Sequence, residues 1–416
     1  MKPRNRNLLL WAGVGVGLAW VGSRIVMAII WWQRCQYIAS DVAYYFQQMR
    51  QPAATALAEY PTPILWLMRL LHWLSGGDYG VFLDLVIVLM VLLDALVTVA
   101  LFWRASPLAA AYWVVFLALL GPIIWFRIDL IPAACVTLGL LVLSRRPRLS
   151  GALLALGAAT KLWPALLILP SAGRDKAARR RLLGFAATGA AIAALSLVLD
   201  GWGRSVSPIG WQSERGLQIE SLAATWPMIL HASRPWAVTV SMSPFHAYEV
   251  FGQGVAAGLV VASVLMVVAV CLTGLLTALL AVWPSLHPSP AADKGRHAYA
   301  VLLAATAVVA AMIAANKTFS PQYLIWLAGP LGLVLARAKT PGERRAGAAA
   351  GLLGCVAAGL TQAVFPLAYG GLLTNPLGSA GVTALLVARN AVMATLTVLL
   401  MVWALRAAWR AVRPTG

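Results

Sequence analysis

Negative charge is what this chain has least of: 13 of its 416 residues are Asp or Glu, against 32 Lys and Arg, for a formal net charge of +19 at pH 7. Charged residues of either sign make up only 11% of the chain, too few to solvate the surface of a soluble protein of this length. Cysteine is also scarce. Cys35, Cys135, Cys271 and Cys355 lie far apart with no paired spacing, which argues against a disulfide framework or a cysteine metal cluster. There is no Walker loop, dinucleotide fingerprint, Asp-x-Asp pair or internal repeat, so ATP coupling and redox chemistry have no sequence support. His72, His231 and His246 lack metal-ligand spacing. No cofactor and no metal are expected.

What is abundant is apolar. Hydrophobic residues make up 61% of the chain and the mean hydropathy is +0.81, which describes a polytopic membrane protein whose core solvent is lipid. In a soluble domain the positive charge would suggest nucleic acid. In a membrane chain Lys and Arg mark cytoplasmic segments instead, and no nucleic-acid partner is needed to explain them.

On that rule, Lys2, Arg4 and Arg6 precede a retained helix from Leu8 to about Trp32 that runs from inside to outside. A span from about Tyr79 to Trp103 returns to Arg104, and spans near 107–126 and 130–143 form a hairpin with Arg127 and Asp129 at its outer turn. The stretch 150–171 has basic clusters at both ends, Arg145–Arg148 and Arg174–Arg181, yet its length suits one crossing only. Two half-helices meeting at Lys161-Leu162-Trp163-Pro164 resolve the conflict. Residues 182–199 go out, 200–251 form the longest outer loop, and 252–282 return. Spans near 298–315, 320–336, 346–366 and 381–404 complete the chain, with both termini cytoplasmic. Most basic residues then lie inside, whereas Asp175, Asp293 and Glu343 are the acids assigned there. The expected fold is a single all-α membrane domain, 1–416, with about 10–12 spans counting the half-helix hairpin. Anionic membrane lipids would be attracted to its inner face.

Apart from Asp94, the remaining acids gather at or near the outer face. The first outer loop, 33–78, carries Asp41, Tyr44, Tyr45 and Glu59, then an amphipathic helix 64–74 with Ile64, Leu67, Met68, Leu71 and Leu74 at helical spacing, suited to the membrane interface. On residue type alone, Asp41 in Ser40-Asp41-Val42 reads as an ordinary helix cap. Asp84 and Asp94 lie near one face of one helix, the first within reach of an outer cavity and the second deep and structural. Arg127 and Asp129 are expected to pair with each other, whereas for Glu214 and Arg215 a loop salt bridge and a grip on sugar hydroxyls stand about even. Lys161 at bilayer depth is a functional candidate by default, because a charge there needs a polar cavity or a partner.

Several segments in fixed order carry a resemblance. Ser40-Asp41-Val42-Ala43-Tyr44 and Glu59-Tyr60-Pro61-Thr62-Pro63 are followed by Arg127-Ile128-Asp129-Leu130-Ile131-Pro132, then by 149–164 ending in Thr160-Lys161-Leu162-Trp163-Pro164. Glu214-Arg215-Gly216-Leu217-Gln218-Ile219-Glu220-Ser221 and Lys317-Thr318-Phe319-Ser320-Pro321-Gln322-Tyr323 come next. Together they resemble glycosyltransferase family 87, actinobacterial α-mannosyltransferases of the GT-C superfamily that use polyprenyl-phosphate mannose. The Gly-x-x-Pro-Tyr turn frequent in relatives is absent; Pro52 and Ala-rich sequence replace it.

The resemblance implies a general base on the first outer loop, and Asp41 matches by position. It implies a lipid-linked donor as co-substrate and a membrane glycolipid or lipoglycan as acceptor, at the outer face of the cytoplasmic membrane. Lys161, Lys317, Arg127 and Arg215 become the candidates for the donor phosphate. Tyr44, Tyr45, Glu59, Asp129, Glu214, Gln218, Glu220, Gln322 and Tyr323 become those for sugar or acceptor. Mannose comes from the resemblance alone, and arabinose is the nearest rival. A transporter or lipid flippase is the alternative of another class, since broken helices with embedded charge also surround transported substrates.

Overall fold

A computed structural model describes residues 3–173, 175–213, 215–234, 236–286, 294–373 and 379–412. Its helices in chain order are α1 (Pro3–Arg34), α2 (Ser40–Gln48), α3 (Thr62–Leu74), α4 (Tyr79–Arg104), α5 (Pro107–Leu120), α6 (Leu130–Leu141), α7 (Pro147–Ala158), α8 (Lys176–Ser213) and α9 (Thr225–Ser233). A hairpin follows, β1 (Val238–Met242) and β2 (Tyr248–Gly252). Then come α10 (Val255–Thr277), α11 (Trp283–Leu286), α12 (Lys294–Ala315), α13 (Ile325–Arg337), α14 (Pro341–Gln362), α15 (Gly370–Leu373) and α16 (Ser379–Val412). The chain is a helical, multi-pass membrane protein.

Among the described residues, 7 helices are long and apolar enough to cross a membrane unaided. The expected crossings at 107–126, 130–143 and 320–336 are shorter than drawn. α5 stops at Gly121, whose φ of 82° a side chain would disfavour, and short 3-10 turns at Pro122–Trp125 and Pro321–Leu324 take up the rest. These short helices are packed inside the bundle, where an incomplete crossing leaves no backbone group facing lipid. The span Gly295–Ala315 is 83% buried and forms the centre, whereas Lys176–Trp211 is 6% buried and presents Leu195, Val198 and Leu199 outward.

The break within 150–171 is present: α7 ends at Ala158 and a 3-10 helix runs Trp163–Ser171, with Lys161 at the tip between them. The long loop 200–251 is not irregular. α8 kinks at Gly201, where φ is 75°, and continues to Ser213; α9 and the β hairpin follow. First loop and kinked helix are tied together. The Arg204 guanidinium donates to the carbonyls of Leu57 at 2.9 Å and Tyr60 at 3.1 Å, and Trp66 Nε1 donates to Asp200 at 2.8 Å. α3 buries Ile64, Leu65, Met68 and Leu71 against this assembly, while Leu74 is exposed and thus falls outside the expected apolar stripe.

Asp94 is 0% exposed and fully satisfied. Arg24 Nε at 2.8 Å, Arg24 Nη2 at 2.9 Å, Trp20 Nε1 at 2.8 Å and Trp113 Nε1 at 2.7 Å all donate to its carboxylate, locking α1, α4 and α5 together. A buried charge is tolerated in such a place only with a partner and with its remaining lone pairs used. Asp84, by contrast, is exposed on α4 and does not reach the cavity.

Candidate active site

The first-loop segment 36–48 doubles back beneath the end of α1 as a 3-10 turn and α2, packed through Ile38, Val42 and Tyr45. Asp41 occupies the first turn of α2, where the helix dipole favours negative charge. It does not act as a cap. The N-cap position is Ala39, with no side-chain cap, and the Asp41 carboxylate instead meets the Arg127 guanidinium in an ion pair. Asp41 is 37% exposed and Arg127 11%, so the pair has its acid towards the cavity and its base towards protein.

The expected Arg127–Asp129 pair is not formed. Arg127 is taken by Asp41, and Asp129, 1% exposed, is taken by other partners. Asp129 accepts from Lys161 Nζ at 2.7 Å and from Trp326 Nε1 at 2.9 Å. Asp129 therefore sits behind the cavity wall rather than in it. Lys161 lies 4.5 Å from the Tyr323 ring centroid and 5.3 Å from that of Trp326, whose rings stack 4.3 Å apart, while Trp163 stacks on Trp326 at 4.6 Å. A carboxylate and two aromatic faces thus hold the lysine in place.

The segment after α8 adds an edge to the hairpin. Gln218 bridges Glu249, Val250 N donates to Leu217 O at 3.0 Å, and Ile219 N donates to Tyr248 O at 3.1 Å. On its other side Gln218 N donates to Lys317 O at 3.0 Å, and the Gln218 amide bonds the Ser320 hydroxyl. Residues 317–323 are thereby held along the same wall. Glu220 is 0% exposed at the cavity floor, and Arg389 Nη2 from α16 donates to its carboxylate at 3.2 Å and its carbonyl at 2.9 Å. Burial pushes the Glu220 carboxyl up to about 7, against the pull of the Arg389 charge.

Elsewhere in the lining the Tyr44 hydroxyl donates to Glu59 Oε1 at 2.8 Å, and the His246 ring lies 5.1 Å from Tyr44. Burial raises the Glu59 carboxyl above its usual range. It raises the Tyr44 phenol as well, with the Glu59 charge adding to the effect.

These walls enclose one cavity of about 1220 Å3. It is lined by Asp41, Tyr44, Tyr45, Glu59, Arg127, Lys161, Arg215, Gln218, Glu220, Lys317, Gln322 and Tyr323, so every candidate from the sequence meets there except Asp129 and Glu214. Glu214, and with it the alternative of a salt bridge to Arg215, lies outside the described residues. Sequence reasoning missed Arg389, Arg34, Trp211, Phe245 and His246. Arg389 carried a readable signal, an arginine inside an apolar span. The aromatic residues did not, because hairpin register decides which way they face.

A multi-pass helical protein with one large cavity lined by carboxylates, cations and aromatic rings has the constitution of an enzyme acting at a membrane. The sequence profile of glycosyltransferase family 87 matches residues 57–267, half of the chain, and the chain belongs to that family of glycosyltransferases. The matched stretch includes Glu59, Arg127, Lys161 and Glu220; Asp41 and Lys317 lie beyond its ends. No curated protein and no solved structure matches the chain.

Proposed function

We propose that the enzyme transfers a mannosyl residue from polyprenyl-phosphate mannose to a hydroxyl of a membrane glycolipid or lipoglycan, with Asp41 as general base. The observation that carries this reading is the cavity-facing Asp41 carboxylate held by Arg127. The ion pair fixes the carboxylate at the cavity, and its partial exposure leaves room for an acceptor hydroxyl. Asp41 takes the hydroxyl proton as the oxygen bonds to the anomeric carbon. The bond from that carbon to the phosphate oxygen breaks on the opposite side, and the released polyprenyl phosphate keeps the electron pair. One displacement inverts the centre, so a β-linked donor gives an α product. A positioned base of this kind contributes about 10²–10⁴-fold to the rate.

The leaving phosphate needs compensating charge. Lys161, Lys317 and Arg215 in the cavity lining take that task, with Gln218, Glu220, Gln322 and Tyr323 beside them for the donor sugar. The distribution of basic residues supports a cytoplasmic N-terminus and an outward-facing cavity, where a lipid-carried donor replaces cytosolic nucleotide sugars.

The test uses protein in lipid nanodiscs with radiolabelled polyprenyl-phosphate mannose and a membrane glycolipid extract. Labelled glycolipid should form, and Asp41→Asn should slow its formation by about 10²–10⁴-fold. Undiminished product from Asp41→Asn would remove the base from the mechanism. Transfer from polyprenyl-phosphate arabinose but not mannose would change the donor. Movement of labelled lipid across a vesicle bilayer with no product would favour a flippase.

A further inference from the structure

The lining of the cavity falls into two groups of residues that differ in chemistry. One group carries cations. Lys161 is seated on Tyr323 and Trp326, and Lys317 belongs to the strap that Gln218 holds through its backbone. The other comes from α2, the loop before α3, the end of α8 and the β1–β2 turn. Tyr44, Tyr45 and Tyr60 make edge contacts in series there, Tyr44 bonds Glu59, His246 leans on Tyr44, and Phe245 meets Trp211 edge-on at 5.5 Å. Glu59 sets a carboxyl group beside Tyr44 there, which disfavours a phosphate.

We infer that Tyr44, Glu59, Trp211, Phe245 and His246 form the acceptor subsite, and that it takes an uncharged sugar ring, not an anionic head group. This rests on the proposed transfer reaction and names the residues that present the attacking hydroxyl.

Three observations support it. First, Asp41 and Tyr44 are three residues apart on α2 and share a face, so a ring resting against Tyr44 brings a hydroxyl to Asp41. Second, a sugar presents C–H faces to the negative faces of aromatic rings and hydroxyls to carboxyl oxygens, which accept several hydrogen bonds. Third, the subsite is held in an unfavourable backbone shape. His246 and Leu57 are the described non-glycine residues with positive φ, 53° and 48°. His246 forms the turn above Tyr44, and Leu57 begins the bend that delivers Glu59, with its carbonyl fixed by Arg204. A leucine in this region is costly and persists only when its surroundings impose it.

The cavity volume agrees with two occupants. At about 1220 Å3 it exceeds the usual range for one small ligand, roughly 300–1000 Å3.

The experiment separates this inference from the reaction itself. Binding of tritiated octyl α-mannoside to nanodisc protein is measured by equilibrium dialysis without donor, beside transfer kinetics with donor and acceptor varied in turn. Phe245→Ala and Glu59→Gln should each raise the acceptor KM and weaken octyl mannoside binding by about tenfold, the size of one lost hydrogen bond or ring contact, with the donor KM unchanged. Octyl phosphate should compete for the donor and not for octyl mannoside. His246→Asn, which tolerates positive φ, should bind better than His246→Ala, and unfolding temperatures identify any variant that fails to fold. The inference is overturned if Phe245→Ala and Glu59→Gln raise the donor KM instead, or if octyl phosphate displaces octyl mannoside. Wild-type protein that binds octyl mannoside but transfers nothing would refute the reaction and leave the subsite standing.

Discussion

Replacing Arg389 by Met should destabilise the protein in a strongly pH-dependent way. Glu220 and Arg389 are each 0% exposed, Arg389 Nη2 gives one hydrogen bond to the carboxylate and one to the backbone carbonyl, and the guanidinium carbon lies 4.3 Å over the Phe319 ring. Methionine keeps most of the packing but removes the charge and both bonds. Breaking one partner out of a buried pair costs about 3–5 kcal/mol because the other charge is stranded. The penalty is the cost of the stranded Glu220 charge or, where it is smaller, of the proton that Glu220 takes up to avoid it. Burial already holds the Glu220 carboxyl up to about 7 with Arg389 present, and without the arginine it rises further. The folded variant therefore binds a proton that the unfolded chain releases above a pH of about 4.3, so stability grows as pH falls, by at most about 1.4 kcal/mol per unit. The wild type has the same sign over a narrower window, from about 4.3 to 7. Glu220→Gln combined with Arg389→Met should recover much of the loss and abolish the slope. Unfolding in mixed micelles, followed by circular dichroism at pH 6, 7 and 8, reads all of this. An Arg389→Met protein as stable as wild type at pH 8, or one with the slope of the double variant, would refute the reasoning.

Asp94→Asn strands Arg24 among α1, α4 and α5 and should cost about 3–5 kcal/mol in the same assay, with little change in the KM of either substrate. Gly151→Val and Gly184→Val should separate α7 from α8, because a Cβ at Gly151 would strike the Arg181 carbonyl and one at Gly184 the Arg148 carbonyl. Each should lower stability by about 1–3 kcal/mol or more, while Gly189→Ala on the same helix, with nothing within 4 Å, should be neutral or better in a thermal melt. Lys161→Met should raise the donor KM more than the acceptor KM, and Asp129→Asn should do so to a smaller degree, since it loosens the lysine without removing its charge.

Much of the site was legible because membrane chemistry makes polar residues conspicuous. Lys161 stood out as a charge in an apolar stretch whose length forbade a simple hairpin, and the break between Ala158 and Trp163 is where that conflict placed it. Asp41 was legible by position, although the ordinary reading of Ser-Asp before a helix was a cap that Ala39 in fact occupies without a side-chain bond. Pairings were not legible. Arg127 next to Asp129 invites a local ion pair, and only packing of the 3-10 hairpin and α13 against α6 shows Asp129 taken by Lys161 and Trp326. The strand edge at 217–219 was hidden for a similar reason: its hydrogen bonds go to Tyr248, Val250 and Lys317, remote in sequence.

The turn between α5 and α6 then acquires a role that its own sequence does not announce. Arg127 reaches the proposed base, Asp129 reaches the lysine among the lining cations, and Ile128 between them is buried at 1% exposure. One three-residue segment thus sets the position of both the group proposed to remove the acceptor proton and the group proposed to receive the donor phosphate. Such coupling matters in a single displacement, because nucleophile, anomeric carbon and leaving oxygen must stay in line, and small misplacement is costly. Ile128→Ala, which touches neither substrate in this arrangement, should leave a cavity under the turn and lower kcat while both KM values change less. Equal loss in kcat and stability with unchanged turnover per folded molecule would show instead that the turn only holds the bundle together.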